Sequence, residues 1–401
     1  MTFVLNHLPA HVRVVIASRT DPALPLARMR ARGELIEIRA GDLRFSPDEA
    51  DAYFNGVLSL HLTSTDVVAL ESRTEGWVAA LQLAGLSMQG RDDVAGFIAS
   101  FAGDDRYIVD YLVEEVLQRE SDQVRSFLLQ TSILGRLNGS LCDAVTGQAG
   151  GQATLEALHR RNLFLIPLDD RRRWYRYHHL FADVLLARLM DERPAEVATL
   201  HQRATEWHEQ HGARLEAIRH AIAGRDFARA SDLVELAIPA SRRARQESVL
   251  RHWLDALPDE QVRVRPVLSD ALAGSRLVRG DVEGVEEHLR DAEQWVIASR
   301  EGSASGMVVV DDQAFRDLPV SIATHRAGLA RLLGDTAGLT THAERALELI
   351  HEDDLTGRGA ATALLAIAAW SNGDLEAASR WYLESMVALE KADHLYDVIG
   401  C

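Results

Sequence analysis

Lysine is almost absent from this chain: of its 43 basic residues only Lys391 is a lysine, and the rest are arginine. A phosphate-binding loop needs a glycine-rich turn followed by a lysine that meets the β- and γ-phosphates. No such loop lies within these 401 residues. Cysteine is nearly as scarce, at Cys142 and Cys401, which excludes a disulfide framework or a cysteine-rich zinc site and fits a reducing compartment. Aromatic residues make up 6%. No apolar run approaches the ~20 residues that span a bilayer. The N-terminal MTFVLNHLPAHVRVV lacks the basic region, apolar core and small-residue cleavage site of a leader, so a cytoplasmic location without membrane attachment is expected. There is no Gly-x-Ser-x-Gly elbow, His-Glu-x-x-His or paired-cysteine motif, and no convincing metal-ligand set. The chain by itself is therefore not expected to be an enzyme. Positive charge is also short: the net charge of −17 repels phosphate backbones and makes the whole chain a poor nucleic-acid binder.

What is present is ordinary globular composition, 47% hydrophobic and 26% charged, rich in the helix formers Ala, Leu, Arg and Glu. Residues 11–18, HVRVVIAS, have the continuous apolar character of a strand buried on both faces. Residues 35–39, LIEIR, are β-like too. Two such strands do not make a stable sheet alone, so the chain is expected to begin inside a domain. Helices follow over 45–60, 65–69, 77–88 and 107–118. The first opens with Ser46-Pro47-Asp48-Glu49, a serine N-cap, proline at N1 and a capping-box glutamate. Residues 121–190 change rhythm. Helices at 121–130, 141–145 and 154–161 precede two strands, 163–168 and 174–177, and a closing helix at 181–189. That order describes a winged helix. From about 195 the pattern is helical hairpins, punctuated by Gly280-Asp281, Gly334-Asp335 and Gly373-Asp374. A tight turn followed by alanine at contact positions marks stacked helix pairs. Their spacing is irregular, hence TPR-like rather than TPR. Residues 303–312 break the pattern as a loop.

Several residues stand out as candidates. Arg19 follows a strand end, where ligands bind in open α/β sheets; the plainer reading is a surface arginine. His178 and His179 are adjacent on a helix start and do not share a face. They are a poor metal pair, and structural or capping roles compete with a phosphate contact. Glu75-Gly76-Trp77 marks either a helix start close to a ligand or a core tryptophan. Arg171, Arg172, Arg173 and Arg176 on the hairpin offer a wing for DNA phosphates, diluted by Asp169 and Asp170.

The runs HVRVVIASRTDPALPLARMRARGELIEIRAGDLRFSPDEA, TEGWVAALQLAGLSM, YIVDYLVEEVL, SFLLQTSILGRLNGSLCDAVTG and WYRYHHLFADVLLARL together resemble the MalT-like ATP-dependent LuxR-type activators, members of the STAND signal-transduction ATPases. The likeness covers residues 1 to about 240 and is only of type beyond 260. It implies an order of parts: P-loop ATPase core, helical lid, winged helix, superhelical sensor and C-terminal LuxR helix-turn-helix. It implies that Arg19 faces the γ-phosphate and that Gly76 and Trp77 pack on adenine. It further implies that His179, or His178 in its place, touches the ADP β-phosphate. ATP and ADP are then cofactors of the complete protein. The partners implied are a small-molecule or protein inducer on the superhelix, further copies of the protein on activation, and DNA only through a C-terminal domain missing here. The phosphate-binding loop, the acidic magnesium-binding motif and recognisable terminal DNA-binding helices are the points of departure.

The expected fold is mainly α: a remnant of a P-loop α/β domain over 1–43, a helical lid over 44–120, a winged helix over 121–192 and a TPR-like superhelix over 193–401. The expected function is the central portion of a signal-responsive, ATP-dependent transcription regulator. The alternative is a helical-repeat interaction scaffold with no nucleotide or DNA role.

Overall fold

Helices carry nearly all of the regular backbone in the computed structural model, which describes residues 9, 12–18, 21–89, 93–101, 106–351 and 353–392. The chain divides into two compact units, 1–207 and 208–401. Among the described residues no helix is long and apolar enough to cross a membrane.

One expectation fails in the first unit. Residues 12–18 and 34–39 carry no regular secondary structure and form no ladder, and Val15 is 94% and Ile36 89% exposed. They are not strands buried on both faces. A strand's N–H and C=O groups need a partner ladder, and the sheet of the described residues is the two-stranded hairpin far along the chain. The other local signals hold. Ser46 caps the helix Pro47–Asp51 with Pro47 at N1, and Glu49 returns a carboxylate to the Ser46 N–H. Helices Ser64–Thr74, Val78–Met88, Val94–Ser100 and Arg106–Glu115 follow.

The winged-helix order is as the pattern predicts: helices Asp122–Thr131, Gly139–Thr146 and Gly151–Arg160, strands β1 (Leu165–Pro167) and β2 (Tyr175–Tyr177), then the helix His179–Glu192. β1 and β2 are antiparallel, with Leu165 opposite Tyr177, and Leu137 bridges to the far side of Tyr175. Tyr175, Phe181, Leu128, Leu129, Phe54 and Leu81 lie fully buried in one apolar cluster that runs through both the helices before residue 120 and the winged helix. Inside it the Tyr177 hydroxyl meets Thr131 Oγ1 at 2.7 Å, so the buried phenol is satisfied.

The second unit is helical hairpins, and its Gly-Asp punctuation has a physical reason. Gly334 ends the helix Asp312–Leu333 at φ +73°, a left-handed turn that glycine takes without strain. Asp335 then caps Thr336–Leu349 by accepting from the Gly338 N–H. Gly373 and Asp374 repeat this before Leu375–Lys391. Gly280-Asp281 differs: Asp281 accepts from the Glu283 N–H in a turn, and no helix starts until Val285–Arg300. Residues 303–311 are irregular, as expected, and are strapped down at one end. Val308 N–H donates to the Val264 carbonyl, and Val310 and Asp311 N–H both donate to Glu235 Oε1 at 2.8 and 2.9 Å. Burial pushes the Glu235 carboxyl up, against those two donors, which favour its anion.

Small residues set the closeness of the last hairpin. A Cβ on Gly359, in Leu355–Ser371, would lie 2.6 Å from Leu389 Cγ, and Ser385 Oγ donates to the Gly359 carbonyl at 2.8 Å. Gly359→Val is expected to lower the stability of this unit by about 2–3 kcal/mol through overpacking. Chemical denaturation of the variant, with amide exchange read over 355–391, checks it.

Candidate functional site

The turn after helix Ser64–Thr74 is forced into a shape few residues accept. Glu75 (φ +50°) and Gly76 (φ +68°) are both left-handed. Trp77 N–H returns to the Thr74 carbonyl and Phe45 N–H donates to the Gly76 carbonyl at 2.8 Å. A Cβ on Gly76 would sit 2.4 Å from the Phe45 carbonyl oxygen. Backbone approach as well as φ therefore requires glycine here.

That turn holds Glu75 against the winged helix. Its side chain is only 7% exposed, yet it is fully partnered. Arg176, projecting from β2, pairs with both oxygens at 2.7 and 2.9 Å. Arg44 approaches at 3.4 Å. At the start of His179–Glu192, the His179 N–H donates to Glu75 Oε1 at 3.1 Å and His179 Nδ1 lies 3.3 Å from it. A carboxylate at a helix N-terminus meets free donors and the positive end of the dipole. Burial opposes the charge, but the Arg176 fork, the nearby His178 and the His179 N–H prevail and hold the Glu75 carboxyl down at about 2.

His178 is buried beside it. Its Nε2 lies 2.9 Å from the Thr74 carbonyl, which only accepts, so Nε2 carries the proton. Its Nδ1 is buried with no hydrogen-bond partner. Burial therefore lowers the imidazole to about 4, against the raising effect of Glu75, and His178 is neutral at neutral pH. Trp77 packs edge-on against His178 and against Phe164, with ring centroids at 5.9 and 4.8 Å. His179, by contrast, is 61% exposed. It lines a cleft of about 370 Å³ with Ser72, Arg73, Ala99, Phe101 and Asp183. Arg73 there is spent on the carbonyls of Ile98, Ala99 and Phe101.

Four of the five candidate residues thus come together: Gly76, Trp77, His178 and His179, over about a hundred positions of sequence. Arg19 lies outside the described residues. Arg176 is not available to a DNA-facing wing, because Glu75 takes both arms of its guanidinium. Arg171, Arg172 and Arg173 remain exposed at the hairpin tip, where Asp169 accepts the Arg173 N–H. Sequence reasoning passed over Glu75 and Arg44 as a charge network. The available signal was an acid directly before a glycine, ahead of a tryptophan.

Fold and contact define a class: a winged helix locked by a buried ion pair onto the helices before it, in a chain that continues as helical hairpins. Residues 113–197 match the model of the MalT winged helix domain family, and the chain is MalT-like. It is similar to the serine/threonine-protein kinase PknK of Mycobacterium tuberculosis, 37% identical over 276 residues, 69% of this chain and 25% of that protein. It is similar to the HTH-type transcriptional regulator MalT of Serratia proteamaculans, 34% identical over 277 residues, 67% of this chain and 30% of that protein. The MalT of Klebsiella pneumoniae is 37% identical over 236 residues, 58% of this chain and 26% of that protein. The chain therefore spans 25–30% of the length of these relatives. A solved STAND protein with a tetratricopeptide repeat sensor, from Pyrococcus horikoshii, aligns with 88% of this chain and 54% of its own at 14% identity. The TM-score of that alignment is 0.38.

The site makes stability fall with acid in two stages. Unfolded, His178 takes a proton near 6.5 and Glu75 near 4.5; folded, they resist to about 4 and about 2. The unfolded chain binds the extra proton in each window. The His178 share, on the order of 2–3 kcal/mol, is present above pH 6.5 and lost between pH 6.5 and 4. The Glu75 share is lost between pH 4.5 and 2. Urea midpoints from pH 8 to 4 are expected to drop in the native protein and to flatten across pH 6.5–4 in His178→Gln. Gly76→Ala is expected to cost at least about 2 kcal/mol at every pH, measured in the same titration.

Proposed function

We propose that this chain is the central portion of a signal-responsive, ATP-dependent transcription regulator, in which the Glu75 contact reports nucleotide state. One observation carries the reading. The single buried carboxylate that joins the Gly76-Trp77 turn to the winged helix also orients His179, whose ring lines a cleft. A phosphate entering that cleft meets the exposed His179 imidazole, beside a helix start whose first N–H is already given to Glu75 and with Asp183 on the same lining. In this reading ADP closes the contact, with His179 toward the β-phosphate, Trp77 supporting the adenine side and Arg19 toward the γ-phosphate of ATP. His178, spent on Thr74, pins the winged helix rather than binding ligand.

Residues 193–401 then form the TPR-like surface for a small-molecule or protein inducer, with self-association on activation and DNA contact through a segment outside these residues. The MalT-like relationship supports a regulator of this kind. In this reading nucleotide turnover lies outside this chain, whose one lysine, Lys391, ends the helix Leu375–Lys391 and follows no glycine-rich turn. Each ligand needs only a differential affinity for two forms, about 1–3 kcal/mol of coupling. The rival reading, a helical-repeat scaffold, has the hairpins in its favour but leaves the Glu75 cluster without a role.

In the full-length protein, His179→Ala is expected to speed ADP release about tenfold, equivalent to losing one charge-assisted contact, and to raise basal transcription. Stopped-flow release of a fluorescent ADP analogue measures it. An unchanged rate in a folded variant would favour the scaffold.

A further inference from the structure

Residues 208–401 hold a second cluster, unrelated to the nucleotide reading, whose donors are those of a transition metal. The helix Pro194–Gln210 ends with Gly212 at φ +71°, Gly212 N–H bonding to Glu209 and Ala213 N–H to His208. This glycine-ended cap fixes the His208 carbonyl beside the start of the next helix, Arg214–Ala223. Glu216 and His220 stand on that helix four residues apart, hence on one face. One ligand atom each from His208, Glu216 and His220 all lie within 4.8 Å of one another. The two imidazoles stack, centroids 5.4 Å apart and 11° from parallel. Both histidines are buried, while Glu216 is exposed and gives the cluster an opening to solvent.

We propose that His208, Glu216 and His220 form a binding site for a divalent transition metal of the zinc or cobalt kind, with water completing the shell. Two imidazoles and a carboxylate with one open position are a donor set zinc accepts; calcium and magnesium prefer oxygen alone. Tetrahedral bonds of 2.0–2.1 Å put ligand atoms about 3.3 Å apart. Closing the present spread takes a movement of about 1.5 Å, and because the stacked rings hold their in-plane lone pairs in nearly parallel planes, one imidazole must also turn as the exposed Glu216 side chain swings in.

A guanidinium now stands at this place. Arg219 Nε donates to Glu216 Oε2 at 2.8 Å, and Arg219 Nη2 lies 3.4 Å from His220 Nε2. Arg219 and Glu216 are about half exposed, and such surface pairs are weak. A metal ion displaces the guanidinium rather than binding beside it.

The test is a titration of the whole chain with Zn²⁺ alone and with Co²⁺ alone, followed by calorimetry, thermal unfolding and the visible Co²⁺ spectrum. One ion is expected per chain, with a higher unfolding temperature and low-coordinate Co²⁺ bands. Glu216→Gln, an exposed change that leaves the fold intact, is expected to weaken Zn²⁺ binding about tenfold or more. Arg219→Gln is expected to tighten it about three- to tenfold, by freeing the carboxylate and removing a positive charge. His208→Gln with His220→Gln is expected to abolish it. Affinity unchanged in both Glu216→Gln and Arg219→Gln would overturn the proposal, as would the absence of one-to-one binding.

Discussion

Glu75 keeps a negative charge in a place almost without water, and three separate parts of the first unit are shaped around keeping it there. The left-handed turn at Glu75 and Gly76 aims it, β2 delivers the Arg176 fork, and the start of His179–Glu192 supplies an N–H. An isolated buried carboxylate would shed its charge or unfold its surroundings. With these partners in place, the turn after Ser64–Thr74 and the winged helix are tied by an interaction that is either made or broken. Packed interfaces of this kind have discrete arrangements rather than a continuum.

Histidines 178 and 179 show how neighbours in sequence divide labour. Adjacent positions at a helix start point in different directions, one into the aromatic packing of Trp77 and Phe164, the other toward the cleft. The second unit handles buried charge by a similar rule. Asp270 is surrounded, with the Ser321 hydroxyl at 2.6 Å and His325 Nδ1 at 2.8 Å. Arg265 meets Asp232 at 2.7 Å. These pairs sit beside a hairpin core built mainly of Leu, Val and Ile.

Much of this architecture was legible from local chemistry. Ser46 to Glu49 announced a helix start, the Gly-Asp pairs at 334–335 and 373–374 announced helix ends and caps, and the runs 163–168 and 174–177 on either side of an Asp-Asp-Arg turn announced the hairpin. Each depends on residues close to one another in sequence, the caps within four or five positions and the hairpin within about fifteen. The apolar runs at 12–18 and 35–39 were misleading for the same reason: composition states that a segment suits a ladder, not that a ladder partner is beside it. The site was half legible. Gly76, Trp77, His178 and His179 were picked out, three of them as much by family likeness as by chemistry. The Glu75–Arg176 pair, 101 positions apart, leaves no mark that a local pattern detects. The His208, Glu216 and His220 triad is close in sequence, yet its convergence rests on a helix-ending turn whose geometry no residue spacing states.

The strap at 303–311 has a consequence for how this chain can vary. Its far end is fixed by one buried acceptor, Glu235, which holds two successive amides. The stretch before Val308 is tied mainly to itself, through turns at Ser303, Ser305 and Met307. Relatives can therefore lengthen or shorten the segment ahead of Val308 at little cost, since loop closure penalties grow slowly with length. A single residue gained or lost between Val308 and Asp311 would instead shift the next helix out of phase with the acid that anchors it. Glu235 thus acts as a fiducial mark from which the following hairpins take their register.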